Sequence, residues 1–189
     1  PVHSECAGQV ARSDASASLA ALKAMLERDA ATTACVVLEP VVQGAAGMVQ
    51  QPAGFVKAVA ALCRQYGVHL ILDEVFTGFG RLGALTASER EGVVPDFLCL
   101  AKGLAAGYLP LGGVVISRHI ADTFKDKAFP GGLTYSGHPL ACASAVASIN
   151  IFKEEVIIEH ARSLGADVIA PGLEKLQANH PSIGEVRGL

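Results

Sequence analysis

The chain has 189 residues, 51% hydrophobic and 17% charged, with a net charge of −3. This is a globular composition, far from that of disordered chains, and enough for one domain of ordinary size or a little more. The 15 basic residues are scattered, which excludes the basic stripe of a nucleic-acid binder and the polybasic segment of a membrane-surface protein.

The first residues, PVHSECAGQV, lack the charged-then-apolar order of a signal segment. The most apolar stretch, 97–116, is broken by Lys102, Pro110 and several glycines, so it does not read as a membrane span. A soluble, cytoplasmic protein is expected. Cys6, Cys35, Cys63, Cys99 and Cys142 are far apart, with no C-x-x-C, and read as free thiols of a reducing compartment. The six histidines show no ligand spacing; His69 reads as a structural residue inside a strand, and no metal site is expected.

Taken in order, SASLAALKAMLER (16–28) carries apolar residues at helical spacing. ACVVLEP (34–40) is a short β-branched run stopped by proline and reads as a buried strand. PAGFVKAVAALCRQYG (52–67) is a helix punctuated by proline and glycine. VHLILD (68–73), DFLCLA (96–101) and GGVVIS (112–117) are further strands. Apolar strands alternating with helices predict a mainly parallel sheet covered on both faces. From residue 138 the chain becomes helical, through HPLACASAVASINIFKEE and on to residue 181, and SIGEVRGL begins another strand. The expected division is a partial large domain over 1–154 and the start of a second, smaller one over 155–189. Both ends lack natural punctuation, so a piece of a longer protein is expected.

Ligands of open α/β sheets sit at the carboxyl ends of the strands. Glu39, Asp73 and Lys102 fall there. Lys102 has two readings: a lysine at a loop mouth that snorkels to water, or an amine desolvated in an apolar pocket and thereby made a Schiff-base-forming nucleophile. Asp73 and Glu74 are either a strand-end pair binding turn amides or carboxylates aimed into a site. An aspartate and a lysine at neighbouring strand ends match the needs of pyridoxal phosphate, whose ring nitrogen requires a carboxylate and whose aldehyde requires an amine. The hydroxyls of Thr134, Tyr135 and Ser136, ahead of Gly137 and Pro139, read either as an anion site at a helix start or as a plain capped entry. Gly78, Gly80 and Gly83 satisfy G-x-G-x-x-G. The following ALTASEREGVVP is too short and polar for the crossover helix of a dinucleotide loop, and Asp96 begins the next strand where the ribose-binding acid should end it.

LILDEVFTGFGRLG, PDFLCLAKGLAAGYLPLGG and GLTYSGHPLACA together resemble the class-III pyridoxal-phosphate aminotransferases, over about 34–189. The resemblance implies a fold-type I large domain. Lys102 would carry the cofactor as an imine and shuttle a proton, and Asp73 would pair with the pyridinium nitrogen. Val75 would pack on the ring, and Thr134 would bind the phosphate across the interface of a homodimer. Glu39 would lie near the substrate. Many members have glutamine where this chain has Phe76. The family's upstream phosphate loop, its ring-stacking aromatic and its downstream carboxylate-binding arginine have no counterpart here, so the isolated 189 residues are expected to turn over little or nothing. EPVVQGAAGM and GLTYSGHPLACASAVASINIFKEE look most like transaminases that move an amino group from an ω-amino acid or amine to a keto acid such as pyruvate, including the taurine type. The diaminopelargonate-forming enzyme of the biotin pathway is the runner-up, and a non-catalytic remnant the alternative of another class.

Overall fold

The computed structural model describes residues 15–188; Cys6 lies outside them. Helix α1 (Ala15–Asp29) leads through a short 3-10 turn to strand β1 (Cys35–Leu38). A small antiparallel pair, β2 (Val42–Gln43) and β3 (Val49–Gln50), precedes helix α2 (Phe55–Tyr66). Strand β4 (His69–Asp73), the one-turn helix α3 (Ala87–Glu91), strand β5 (Phe97–Leu100), strand β6 (Gly113–Ile116) and the short helix α4 (Arg118–Asp122) follow. The chain then becomes helical: α5 (Pro139–Glu154), α6 (Ile157–Leu164), a π-helical turn (Gly165–Ile169) and α7 (Ala170–Asn179).

The main sheet has the order β1-β4-β5-β6. β1 pairs parallel with β4 and β4 with β5, so the carboxyl ends of three neighbouring strands share one edge. Helix α2 is the connection that makes β1 and β4 parallel. It is bounded by Gly54 and Gly67, both left-handed, and the Gly67 N–H bonds back to the Cys63 carbonyl to close its last turn. Its buried face (Val56, Val59, Ala60, Cys63) meets Leu70 and Leu72, which alternate with half-buried residues along β4. The core sits in that layer, extended by Val41, Val42, Ala87 and Val93.

The sheet is mainly parallel as expected, with one antiparallel strand, while two expectations, the cover on both faces and a strand over 182–188, need correction. β6 runs antiparallel to β5, because the residues between them hold only the 3-10 turn Lys102–Leu104 and no crossover helix. The sheet is not covered on both faces among the described residues: all four residues of β6 are exposed. No strand forms over 182–188. Strands need a partner ladder and none of the described strands pairs there; Gln177 Nε2 instead donates to the Gly184 carbonyl at 3.2 Å. The helical stretch after 155 is present but interrupted, with Val156 at φ 53° before α6.

Candidate active site

Asp73 is the last residue of β4 and lies in register with Cys99 of β5. Two residues past the end of β5 the chain turns at Lys102. The carboxylate and the amine therefore leave adjacent parallel strands at the same edge of the sheet, where open α/β sheets place their ligands. The Val75 N–H donates to Asp73 Oδ1 at 3.0 Å. This fixes the carboxylate with one oxygen, and the second makes no hydrogen bond among the described residues. Burial first, and the Asp73 charge second, push the Cys99 thiol above its ordinary range.

Lys102 stands on the C-terminal side of β5 with φ 42°. A left-handed backbone is uncommon for a residue with a Cβ and persists where the surroundings impose it, most often at functional sites. Here the surroundings are identifiable. A Cβ on Gly103 would meet Phe79 Cβ at 2.5 Å, so the turn is pressed onto the 74–83 loop. Phe79 packs on Phe152 of α5 with centroids 5.7 Å apart, and Ser148 Oγ donates to the Gly103 carbonyl at 3.3 Å. The small buried residues Ala141, Ala145 and Ser148 let α5 come this close. Lys102 itself is exposed, so of its two readings the desolvated amine in an apolar pocket is not what the described residues build. Its Nζ lies over the Phe76 ring, 5.0 Å from the centroid, and the Arg81 guanidinium lies 5.7 Å from that centroid.

Glu39 follows β1 and is half-buried. Its Oε2 accepts from the Gly44 N–H at 2.9 Å, and its carbonyl accepts from Gln51 Nε2 at 2.7 Å. A Cβ on Gly44 would come within 3.0 Å of Phe76 Cγ and 3.4 Å of Glu39 Oε2, so Glu39 and Lys102 are both neighbours of the Phe76 environment. Val75 is half-buried beside Asp73. Thr134 lies on an exposed turn ahead of α5, and no hydrogen bond joins it to Asp73 or Lys102. Pro139 opens that helix, with His138 Nδ1 accepting from the Ala141 N–H at 3.5 Å.

Glu74, next to Asp73, points to the other face of the strand end and is fully buried. Its Oε1 accepts from the Ser88 N–H at 2.7 Å, while Oε2 accepts from the Ala87 N–H and from Thr77 Oγ1. It is a structural carboxylate that satisfies the free amides of α3. The glycine motif is likewise structural. A Cβ on Gly78 would lie 2.9 Å from the Glu74 carbonyl oxygen, Gly80 has φ 83°, and the Gly83 carbonyl accepts from Arg162 Nε at 2.7 Å. The helix after it has five residues, which is no dinucleotide crossover.

Sequence reasoning missed three features here: the burial of Glu74, the left-handed Lys102 and the placement of Arg81 on Phe76. T-A-S-E (86–89) was a usable signal for the first, since Thr86 Oγ1 accepts from the Glu89 N–H at 3.1 Å and marks a capped helix start that a preceding acid can join. The other two are tertiary and leave no local pattern.

The class-III aminotransferase family matches residues 1–189. The chain belongs to this family. It is 44% identical, over 80% of its length, to the adenosylmethionine-8-amino-7-oxononanoate aminotransferase of Nitratidesulfovibrio vulgaris. It is 44% identical, over 82% of its length, to the 5-aminovalerate aminotransferase of Pseudomonas putida. The chain spans 29% of the former and 36% of the latter. Among solved structures it is similar to taurine:2-oxoglutarate aminotransferase from Bifidobacterium kashiwanohense in complex with PLP and glutamate, with TM-score 0.87 and 39% identity. That match covers 93% of this chain and 39% of the other. The (S)-enantioselective ω-transaminase of Thermomicrobium roseum gives 0.84 and 45%, covering 92% of this chain and 39% of its own. The α/β fold with a mostly parallel sheet is thus that of pyridoxal-phosphate transaminases.

Proposed function

We propose that the chain forms the lysine-bearing part of a pyridoxal-phosphate transaminase that moves an amino group from an ω-amino acid or amine donor to a keto acid such as pyruvate. The observation that carries this is the juxtaposition of Asp73 and Lys102 at adjacent strand ends, in a chain of this family. The donor set fits the cofactor. Asp73 keeps one oxygen without a hydrogen bond, suited to a ring nitrogen, and Lys102 presents an exposed primary amine on a turn with left-handed backbone.

When bound, pyridoxal phosphate supplies an electron sink for a carbanion. The remaining work falls to the chain. Lys102 Nζ would hold the cofactor and would move the proton at the substrate carbon. Asp73 keeps a proton on the ring nitrogen, which a neutral residue would not do. Val75 would pack against the ring, Thr134 would hold the phosphate at a partner subunit's site, and Glu39 would stand on the substrate side.

A homodimer in the cytoplasm is the assembly proposed. Leu133, Tyr135 and Leu140, beside Thr134, are exposed apolar residues of the kind an interface covers. No helix among the described residues is long and apolar enough to cross a membrane. The break at Val156 supports a boundary between a large-domain part (1–154) and the start of a small domain (155–189).

A second reading, an enzyme that forms diaminopelargonate with S-adenosylmethionine as donor, is favoured by the 44% identity to the Nitratidesulfovibrio relative. An amino-donor panel on the full-length protein separates the two. For either, borohydride reduction of the pyridoxal-phosphate-loaded protein should fix the label on Lys102, and Lys102→Ala should abolish transamination. A label on another residue, or full activity in that variant, would overturn the assignment.

A further inference from the structure

At the opposite edge of the sheet, the start of β4, the residue before β5 and helix α4 bring together His69, Asp96 and His119, three residues far apart in sequence. We propose that they bind one divalent transition-metal ion, of which zinc is the type best suited. Asp96 Oδ1 lies 3.1 Å from His119 Nε2, Asp96 Oδ2 lies 3.6 Å from His69 Nδ1, and the three ligand atoms lie within 4.8 Å of one another. Ligands bonded at about 2.0–2.1 Å around a tetrahedral ion are separated by roughly 3.3 Å, so a small closure of the two rings brings all three to bonding distance. Two imidazoles and one carboxylate make a donor set for zinc, cobalt or nickel; calcium and magnesium prefer oxygen.

His119 and Asp96 also have hydrogen-bond partners of the kind that orient metal ligands, and His69 packs against a neighbouring ring. Ser117 Oγ lies 3.0 Å from His119 Nδ1, so the serine engages that nitrogen and leaves Nε2 as the atom facing Asp96. The Leu70 N–H donates to Asp96 Oδ2 at 2.8 Å. The His69 ring stands edge-on to Phe97 with centroids 5.9 Å apart, and the two imidazoles are stacked 28° from parallel at 6.1 Å. Main-chain bonds from Asp96 N–H to the Leu70 carbonyl and from Ser117 N–H to the Asp96 carbonyl, both 2.9 Å, tie the supporting elements together. Both histidines are substantially exposed, with side-chain accessibilities of 44% and 64%, so an ion can enter and solvent can complete its shell. Lys102 lies beyond the far end of β5, so the ion pins strand ends to α4 and takes no part at the lysine.

The test is cobalt and zinc titration of the full-length protein, prepared without a histidine tag and stripped with a chelator. One ion per chain should bind. His119→Ala, an exposed change that leaves the backbone intact, should weaken binding by at least the roughly 10- to 100-fold that losing a mere outer partner of a ligand costs. His69→Gln should do the same. Zinc should raise the thermal midpoint of the parent and not of either variant, while the cofactor absorbance of His119→Ala stays that of the parent. Equal affinity in parent and both variants would overturn the proposal, as would a thiolate charge-transfer band in the cobalt spectrum, which would put the ion on a cysteine.

Discussion

The Lys102 ammonium lies over the face of the Phe76 ring, 5.0 Å from its centroid, and the Arg81 guanidinium is 5.7 Å from that centroid. One ring therefore neighbours two cations at the edge where the cofactor is proposed to bind. A cation–π contact at an exposed site contributes about 0.5–1 kcal/mol. Phe76→Gln, which installs the residue many family members carry, should change kcat/KM by only about two- to fivefold, since 1.36 kcal/mol is tenfold. It should leave the cofactor absorbance in place. Steady-state kinetics beside Lys102→Ala check it; a loss as complete as the lysine variant's would show that Phe76 does more than flank the amine.

Glu74 should matter for stability and not for cofactor chemistry. It is fully buried and accepts hydrogen bonds from two amides of α3 and from Thr77. Bonds to a charged group contribute about 1.5–3 kcal/mol each, and removing the acceptor strands buried donors. Glu74→Ala should therefore cost about 3 kcal/mol or more in urea denaturation, with Glu74→Gln between it and the parent because an amide accepts at one position only. A parent-like midpoint for Glu74→Ala would show that water replaces the carboxylate.

Cys63 gives the chain an alkaline liability. Burial, with smaller contributions from the Asp96 and Cys35 charges, pushes its thiol above the ordinary range, and it is 2% exposed. The folded state holds the proton more tightly than the unfolded one. The stability contribution is therefore complete below the unfolded thiol pKa of about 8.5 and is lost as pH rises through the folded value. Urea midpoints should fall from neutral pH into that range, and Cys63→Ala should lower the neutral midpoint while flattening the alkaline fall. An equally steep fall in the variant would move the effect to other groups.

The strand-end positions of Asp73 and Lys102 were legible in the sequence because strand ends are local: an apolar run ends, and the next polar residue stands at the edge. The helices were legible for the same reason, Pro139 and Gly67 marking their ends where they fell. The direction of β6 was not, since GGVVIS reads alike parallel or antiparallel and only the missing crossover helix decides it. The exposure of Lys102 and the meeting of His69, Asp96 and His119 depend on which strand lies beside which. No spacing along the chain records that. SIGEVRGL failed as a strand because composition supplies propensity and not a partner.

Gly103 offers the sharpest test of how the lysine turn is held. A Cβ there would sit 2.5 Å from Phe79 Cβ and 2.9 Å from Phe79 Cγ. Those atoms cannot swing away freely: Phe79 has φ 57° and its ring is packed on Phe152. Gly103→Ala must push the turn away from the loop, at the roughly 1–3 kcal/mol typical of overpacking. Because Lys102 is the adjacent residue, the shift should also move its amine relative to Asp73, lowering kcat more than KM while the pyridoxal phosphate band survives. Pairing it with Phe79→Gly should recover part of the loss, because glycine removes Cβ, the atom nearest the new methyl, and suits the φ of 57° at this position. If Gly103→Ala loses stability alone and kcat is unchanged, the position of the amine is set by β5 and not by the packing of this turn on Phe79.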